Sequence, residues 1–251
     1  MTGYAEYFGD LPAREPRYQV AERWVDCVNF PDGTPEWRME FFHRQMNEEL
    51  NVLENAARHL VEFPEVEWNL RMWLARQCAD EARHTIAYKE LFERRGGTLG
   101  EYPVMNFQYR ILSRIPHLIG RLAVQNRSFE AEGLDAATFA LGEARAMGDD
   151  ELVELFEQQQ ADEVLHIKFA NDWIRRQVAE DGRNVLKMAI GLNQGAAAFE
   201  QVMDGGGTHV TKYGVAEQER LEAGFEPEEI KVAIGLSKAR ADAAAAPRGG
   251  A

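Results

Sequence analysis

The chain has 251 residues, of which 45 % are hydrophobic and 28 % charged, an ordinary composition for a globular protein with room for a sizeable core. Its 42 acidic and 28 basic residues give a formal net charge of −14, which disfavours wrapping nucleic acid or lying on an anionic membrane, since both need a basic surface. No stretch approaches the roughly 20 apolar residues of a bilayer span, and the N-terminus shows no secretory pattern. Two cysteines, Cys27 and Cys78, make no disulfide framework, so a reducing cytoplasm is the expected location.

Helical periodicity dominates and strand signals are scarce. Residues 1–35, with several Pro and Gly, read as an irregular N-terminal arm. A first helix is expected from about Glu36 to Val61, broken by the FPEVE stretch, where Pro64 lacks a backbone donor and disfavours a helical Phe63. A second runs from about Glu67 to Arg95 and closes at Gly96-Gly97. Residues 98–115 form a long connection with at most one short helix. A third helix covers roughly Pro116–Ala146, and Met147-Gly148-Asp149-Asp150 supplies the turn and cap for a fourth, from Asp150 to about Val178. Further helices are expected near 183–203 and between 214 and 239, around a glycine turn at 205–207. The expected architecture is all-α: two helical hairpins joined by a long crossover form a four-helix bundle over 36–180. A C-terminal helical extension follows over 181–240, then a disordered tail over 241–251.

Two segments repeat each other. Gln77-Cys-Ala-Asp80-Glu81-Ala-Arg-His84 and Gln159-Gln-Ala-Asp162-Glu163-Val-Leu-His166 share five of eight residues at an offset of 82. Positions i and i+3 are neighbours on a helix face, so Glu81 with His84, and Glu163 with His166, can each bind one ion. A single Glu-x-x-His arises easily by chance; two in matching octapeptides are far more specific. A dinuclear iron centre still needs two further hard oxygen donors. In an antiparallel hairpin, residues at equal depth are equidistant from the turn, and this points to Glu49 for the first hairpin and Glu130 for the second, at separations of 32 and 33 residues. Glu48 and Glu54 are rivals to Glu49. Glu132 is a rival to Glu130 that spacing does not remove, although Ala123, Asn126, Glu130, Leu134 and Ala137 form one inward stripe from which Glu132 turns away.

Glutamates on two helices and Glu-x-x-His on two others resemble the ferritin-like di-iron carboxylate superfamily. Asp-Glu-Ala-Arg-His at 80–84 resembles a motif of bacterial di-iron monooxygenases and ribonucleotide reductase small subunits; the second copy lacks the arginine. The blocks at 48–65, 80–91, 129–135 and 217–230 resemble an uncharacterised bacterial ferritin-like family of unknown function. The superfamily resemblance implies Glu81 and Glu163 as bridging ligands, Glu49 and Glu130 as terminal ligands, and His84 and His166 one per iron. It also implies Asp80 and Asp162 as acceptors for the distal imidazole nitrogens. Manganese or a mixed Mn/Fe pair satisfies the same donors.

Around the ligand stripes fall the apolar Phe42, Val52, Leu53, Ala56, Leu74, Phe156 and Ile167, which serve as core or as substrate walls. Gln77 and Gln159 lie one turn before the repeated glutamates, placed to orient carboxylates or meet a polar substrate. Tyr88, one turn after His84, resembles the radical tyrosine of reductase small subunits; packing is its bland alternative. Cys78 reads as a small hydrophobe, and His43, His59, His117 and His209 as surface or packing histidines. The expected function is an O2-dependent di-iron oxygenase or oxidase acting on a small molecule, with an external electron donor because no ferredoxin or flavin motif is present. The competing expectations are a ferritin-like ferroxidase, a tRNA hydroxylase (disfavoured by charge) and a metal-free helical scaffold. Oligomeric state is left open, a homodimer included.

Overall fold

The computed structural model describes residues 16–31, 33–203 and 213–245. The described chain is all-α apart from one parallel pair of two-residue strands, β1 (Val20–Ala21) and β2 (Val104–Met105), in register Val20 to Val104. Both strands fall where no regular strand was expected. They are too short to leave an alternating pattern, and β1 ties the described part of the N-terminal arm to the crossover. Among the described residues no helix is long and apolar enough to cross a membrane.

The described residues form nine α-helices: α1 (Pro35–Glu62), α2 (Trp68–Arg94), α3 (Phe107–Ser113), α4 (Leu118–Val124), α5 (Glu130–Met147), α6 (Asp150–Glu180), α7 (Asn184–Met203), α8 (Glu217–Glu222) and α9 (Pro227–Ala245). The boundaries have local causes. Thr34 caps α1, its hydroxyl accepting from Trp37 N at 3.2 Å, with Pro35 in the first turn where its missing N–H costs nothing. The helix stops at Phe63, ahead of Pro64. α5 ends at Gly148, whose φ of 69° is left-handed, and the Asp149 carboxylate accepts from Leu152 N at 3.2 Å to begin α6.

The expected third helix is not continuous. Between α4 and α5, residues Gln125–Phe129 form a π-helical turn. Nothing in Gln-Asn-Arg-Ser-Phe breaks a helix locally, so the widened turn answers to packing rather than to propensity.

The chain divides into two compact units. One comprises residues 1–125 and 180–206, the other 126–179 and 207–251. In the first, α1 packs along α2, α3 lies on α1, and α7 crosses α4. In the second, Ala131, Leu134 and Ile167 bury Ala223, Phe225 and Ile230 in one apolar cluster. The residues expected to form a single C-terminal extension therefore separate, α7 into the first unit and α8 with α9 into the second. α9 also continues to Ala245, into the stretch expected to be tail. The expectations for residues 1–15, the glycine turn, His209 and the end of the tail lie outside the described residues.

In the first unit the α4–α7 crossing is very close. A β-carbon on Gly191 would lie 2.7 Å from the Gly120 Cα, and one on Gly195 would meet Val124 at 3.0 Å. In the second unit Arg220 of α8 makes a buried bidentate pair with Asp135 of α5, at 2.8 and 2.7 Å, and also donates to Ala131 O at 3.1 Å.

Candidate metal centre

Helix α1 buries Glu49 and helix α2 buries Glu81 and His84. The imidazole Nδ1 of His84 lies 3.0 Å from a Glu81 oxygen and 3.5 Å from a Glu49 oxygen. These three residues each offer one ligand atom within 4.8 Å of the others. The one-turn spacing of Glu81 and His84 makes the pair local, whereas Glu49 arrives across the hairpin. Thr85, next to His84, donates its hydroxyl to the Glu81 carbonyl at 2.8 Å, a bond within the helix.

The second unit holds a parallel arrangement. Glu130 opens α5, Glu163 and His166 sit one turn apart on α6, and their ligand atoms also lie within 4.8 Å of one another. His166 Nδ1 is 3.8 Å from Glu163. Here a residue outside the expected set takes part. The Asn126 side-chain amide, in the π turn, donates to a Glu130 oxygen at 2.9 Å and to the His166 backbone carbonyl at 3.3 Å. One NH2 group thus ties the carboxylate of one helix to the backbone of the other. The inward stripe flagged Asn126 as buried, but its bond to His166 depends on a meeting of two helices that no local pattern encodes.

None of the six residues exposes more than 5 % of its surface. Carboxylates buried this deeply are costly unless paired or bound to a cation. Two carboxylates facing one imidazole form a mainly oxygen donor set that suits iron or manganese better than a thiolate-seeking ion. The residues present fit such a metal.

The remaining candidates fall at varied distances from this chemistry. Gln77 and Gln159 are buried. Tyr88 is buried against Phe41 and Phe42, ring centroids 6.4 and 6.5 Å away. Asp80 is ion-paired on the helix surface with Arg76 at 3.3 Å and Arg83 at 3.2 Å, so Arg83 of the Asp-Glu-Ala-Arg-His motif acts on its neighbouring acid. Asp162 is half-buried. Among the rivals, Glu48 is held by Arg44 at 3.2 Å, and Glu54 and Glu132 are half-buried and outside both triads. Phe42, Val52, Ala56, Leu74, Phe156 and Ile167 are buried and Leu53 is half-buried, its carbonyl 3.7 Å from the Cys78 thiol.

The other histidines divide by environment. His117 is exposed at the start of α4. His43 is fully buried among Tyr18, Phe92 and Tyr102; its Nε2 accepts from Gly100 N at 2.9 Å, and burial pushes its pKa down to about 4. Burial, then the Arg121 and Arg58 guanidiniums, hold His59 well below its ordinary value.

No curated protein and no solved structure matches the chain. A family described as "Protein of unknown function (DUF455)" matches it over residues 4–231. A match over so much of the sequence places the chain in that family: it is a member of the DUF455 proteins.

Proposed function

We propose that this protein is a non-haem di-iron oxidoreductase that activates O2 to oxidise or oxygenate a small molecule, on a ferritin-like four-helix scaffold. The observation that carries the reading is the pair of buried Glu/Glu/His triads, one in each unit, built on a repeated octapeptide. Each triad alone offers three side chains, about half of what an octahedral hard-donor ion takes up. Sharing carboxylates between two ions relieves that shortage. In this reading Glu49, Glu81, His84, Glu130, Glu163 and His166 would together hold the ions.

The iron pair, when bound, supplies the electrons that reduce O2. The chain's own residues hold and shape that chemistry. Asn126 fixes the rotamer of Glu130 before any ion arrives, so binding costs less ordering. The ligand carboxylates are themselves buried from bulk water, which strengthens their pull on a cation. Gln77 and Gln159 offer buried amides able to orient a carboxylate or a polar substrate. Tyr88, one turn from His84 in the sequence, would be the residue that donates an electron and a proton. Unchanged O2 consumption and product yield in Tyr88→Phe would remove that role.

The central test is anaerobic loading with ferrous ion, followed by metal analysis and Mössbauer spectroscopy. The expected result is two irons per chain, magnetically coupled after exposure to O2, with Glu81→Gln and Glu163→Gln each losing the coupled signal. Two uncoupled irons would mean separate mononuclear sites and would overturn the shared centre. A ferroxidase would instead convert ferrous ion without an organic substrate and assemble into a large shell, which native mass measurement distinguishes.

A further inference from the structure

We propose that the first unit carries a second binding site, separate from the metal ligands and built for a small amphipathic anion. The site is a half-open cavity of about 230 Å³ between the N-terminal segment, the crossover with α3, and the end of α7. Its walls combine two kinds of surface. Met105, Ile111 and Val202 give it an apolar side, while Arg23, Arg110 and Arg114 bring three guanidiniums against the single carboxylate of Glu22. In a chain with a net charge of −14 this is a local reversal of sign.

The arginines are not equivalent. Arg23 is held by Asp26, at 3.1 and 3.2 Å, and Arg110 is paired with Glu22. Both pairs are partly solvent-exposed, where ion pairing is weak and easily exchanged for a better ligand. Arg114 is exposed and has no acidic partner among the described residues. A bland packing role accounts for Arg110, which ties the N-terminal segment to α3, but not for Arg114 at the same rim. A guanidinium fork recognises carboxylate and phosphate through two parallel hydrogen bonds. At about 230 Å³ the cavity is smaller than the roughly 300–1,000 Å³ pockets of drug-sized ligands, so it suits a small one. The ligand class is therefore a carboxylate or phosphate monoester on a short hydrocarbon or single-ring body. Arg114 reads the head, and the apolar side covers the body.

Calorimetric titration of the full-length protein with hexanoate, phenyl phosphate, inorganic phosphate and hexanol tests this. The expected result is binding of hexanoate or phenyl phosphate at least about tenfold tighter than inorganic phosphate and than hexanol, because both the head and the body contribute. The exposed substitution Arg114→Gln should weaken that binding about tenfold while leaving the circular dichroism and the bound-metal content unchanged. Separate arms with hexanoate and with phenyl phosphate tell a carboxylate ligand from a phosphate one. Failure of both amphipathic anions to bind, equal binding of hexanol, or full affinity in Arg114→Gln would each overturn the proposal. None of these outcomes bears on the metal triads.

Discussion

Asn126 is a residue whose importance far exceeds its visibility in the sequence. An amide that donates both to Glu130 and to the His166 carbonyl restrains a proposed ligand at two points, and loss of such outer contacts commonly weakens metal binding about 10- to 100-fold. Asn126→Ala should do so here, measured by competition with a chelator, while Asn126→Asp places a carboxylate against Glu130 and should be worse. His43 makes a separate prediction about pH. Its native pKa of about 4 lies below the ordinary 6.5, so above pH 6.5 both native and unfolded forms are neutral and stability is complete. As pH falls from about 6.5 towards 4 the unfolded chain takes up a proton that the native one refuses, and stability is lost, at most about 3 kcal/mol. His59 acts in the same direction. In urea titrations across this range, His43→Phe should show a shallower fall than wild type. At this scale the sequence was informative wherever chemistry repeats at helical spacing, as in Glu81 and His84. It was silent on His43, whose burial depends on rings from distant segments.

Helices α1, α2 and α6 start and stop within about two residues of the positions that Pro64, Gly96 and the Asp149 cap suggest, because those signals are local. The π turn at 125–129 has no such signal, and a helix uninterrupted from 116 to 146 was the natural expectation. The position of α7 was equally hidden. Its periodicity marks a helix, but its only buried residues are Gly191 and Gly195, which carry no hydrophobic pattern. Gly191→Ala should gain about 1 kcal/mol in helix propensity and lose about 1–3 kcal/mol from the wedge against Gly120, a net destabilisation in thermal unfolding. Gly142 in α5 is the control: with nothing within 4 Å of an added β-carbon, Gly142→Ala should stabilise by about 1 kcal/mol. The α5–α8 contact rests on Asp135 and Arg220. Asp135→Ala strands a buried guanidinium and should cost about 3–5 kcal/mol, whereas replacing both partners by apolar residues should cost much less.

For the molecule as a whole, the proposed metal centre would link metal content to stability. Metal at a hundred times its dissociation constant adds about 2.7 kcal/mol, or roughly 5–10 °C in a chain of this size. Calorimetry of chelated and reloaded protein should show a shift of that order. It should vanish in Glu81→Gln if that carboxylate holds the ions. The all-α class and the grouping of acids with histidines were legible because both follow from periodicity and repetition. The division into two units was not, since it falls in the π turn between α4 and α5 and assigns neighbouring C-terminal helices to different units. The buried Asp135–Arg220 pair has one more consequence, and it concerns timing. These partners lie 85 residues apart in the chain, so at synthesis rates of about 5–20 residues per second the aspartate waits on the order of ten seconds for its arginine. During that interval the helix that begins with Glu130 carries an acid on its inner face without its native partner. The α5–α8 contact can therefore close only once translation has passed residue 220, and on the proposed function any metal uptake by the second triad is expected to follow that step.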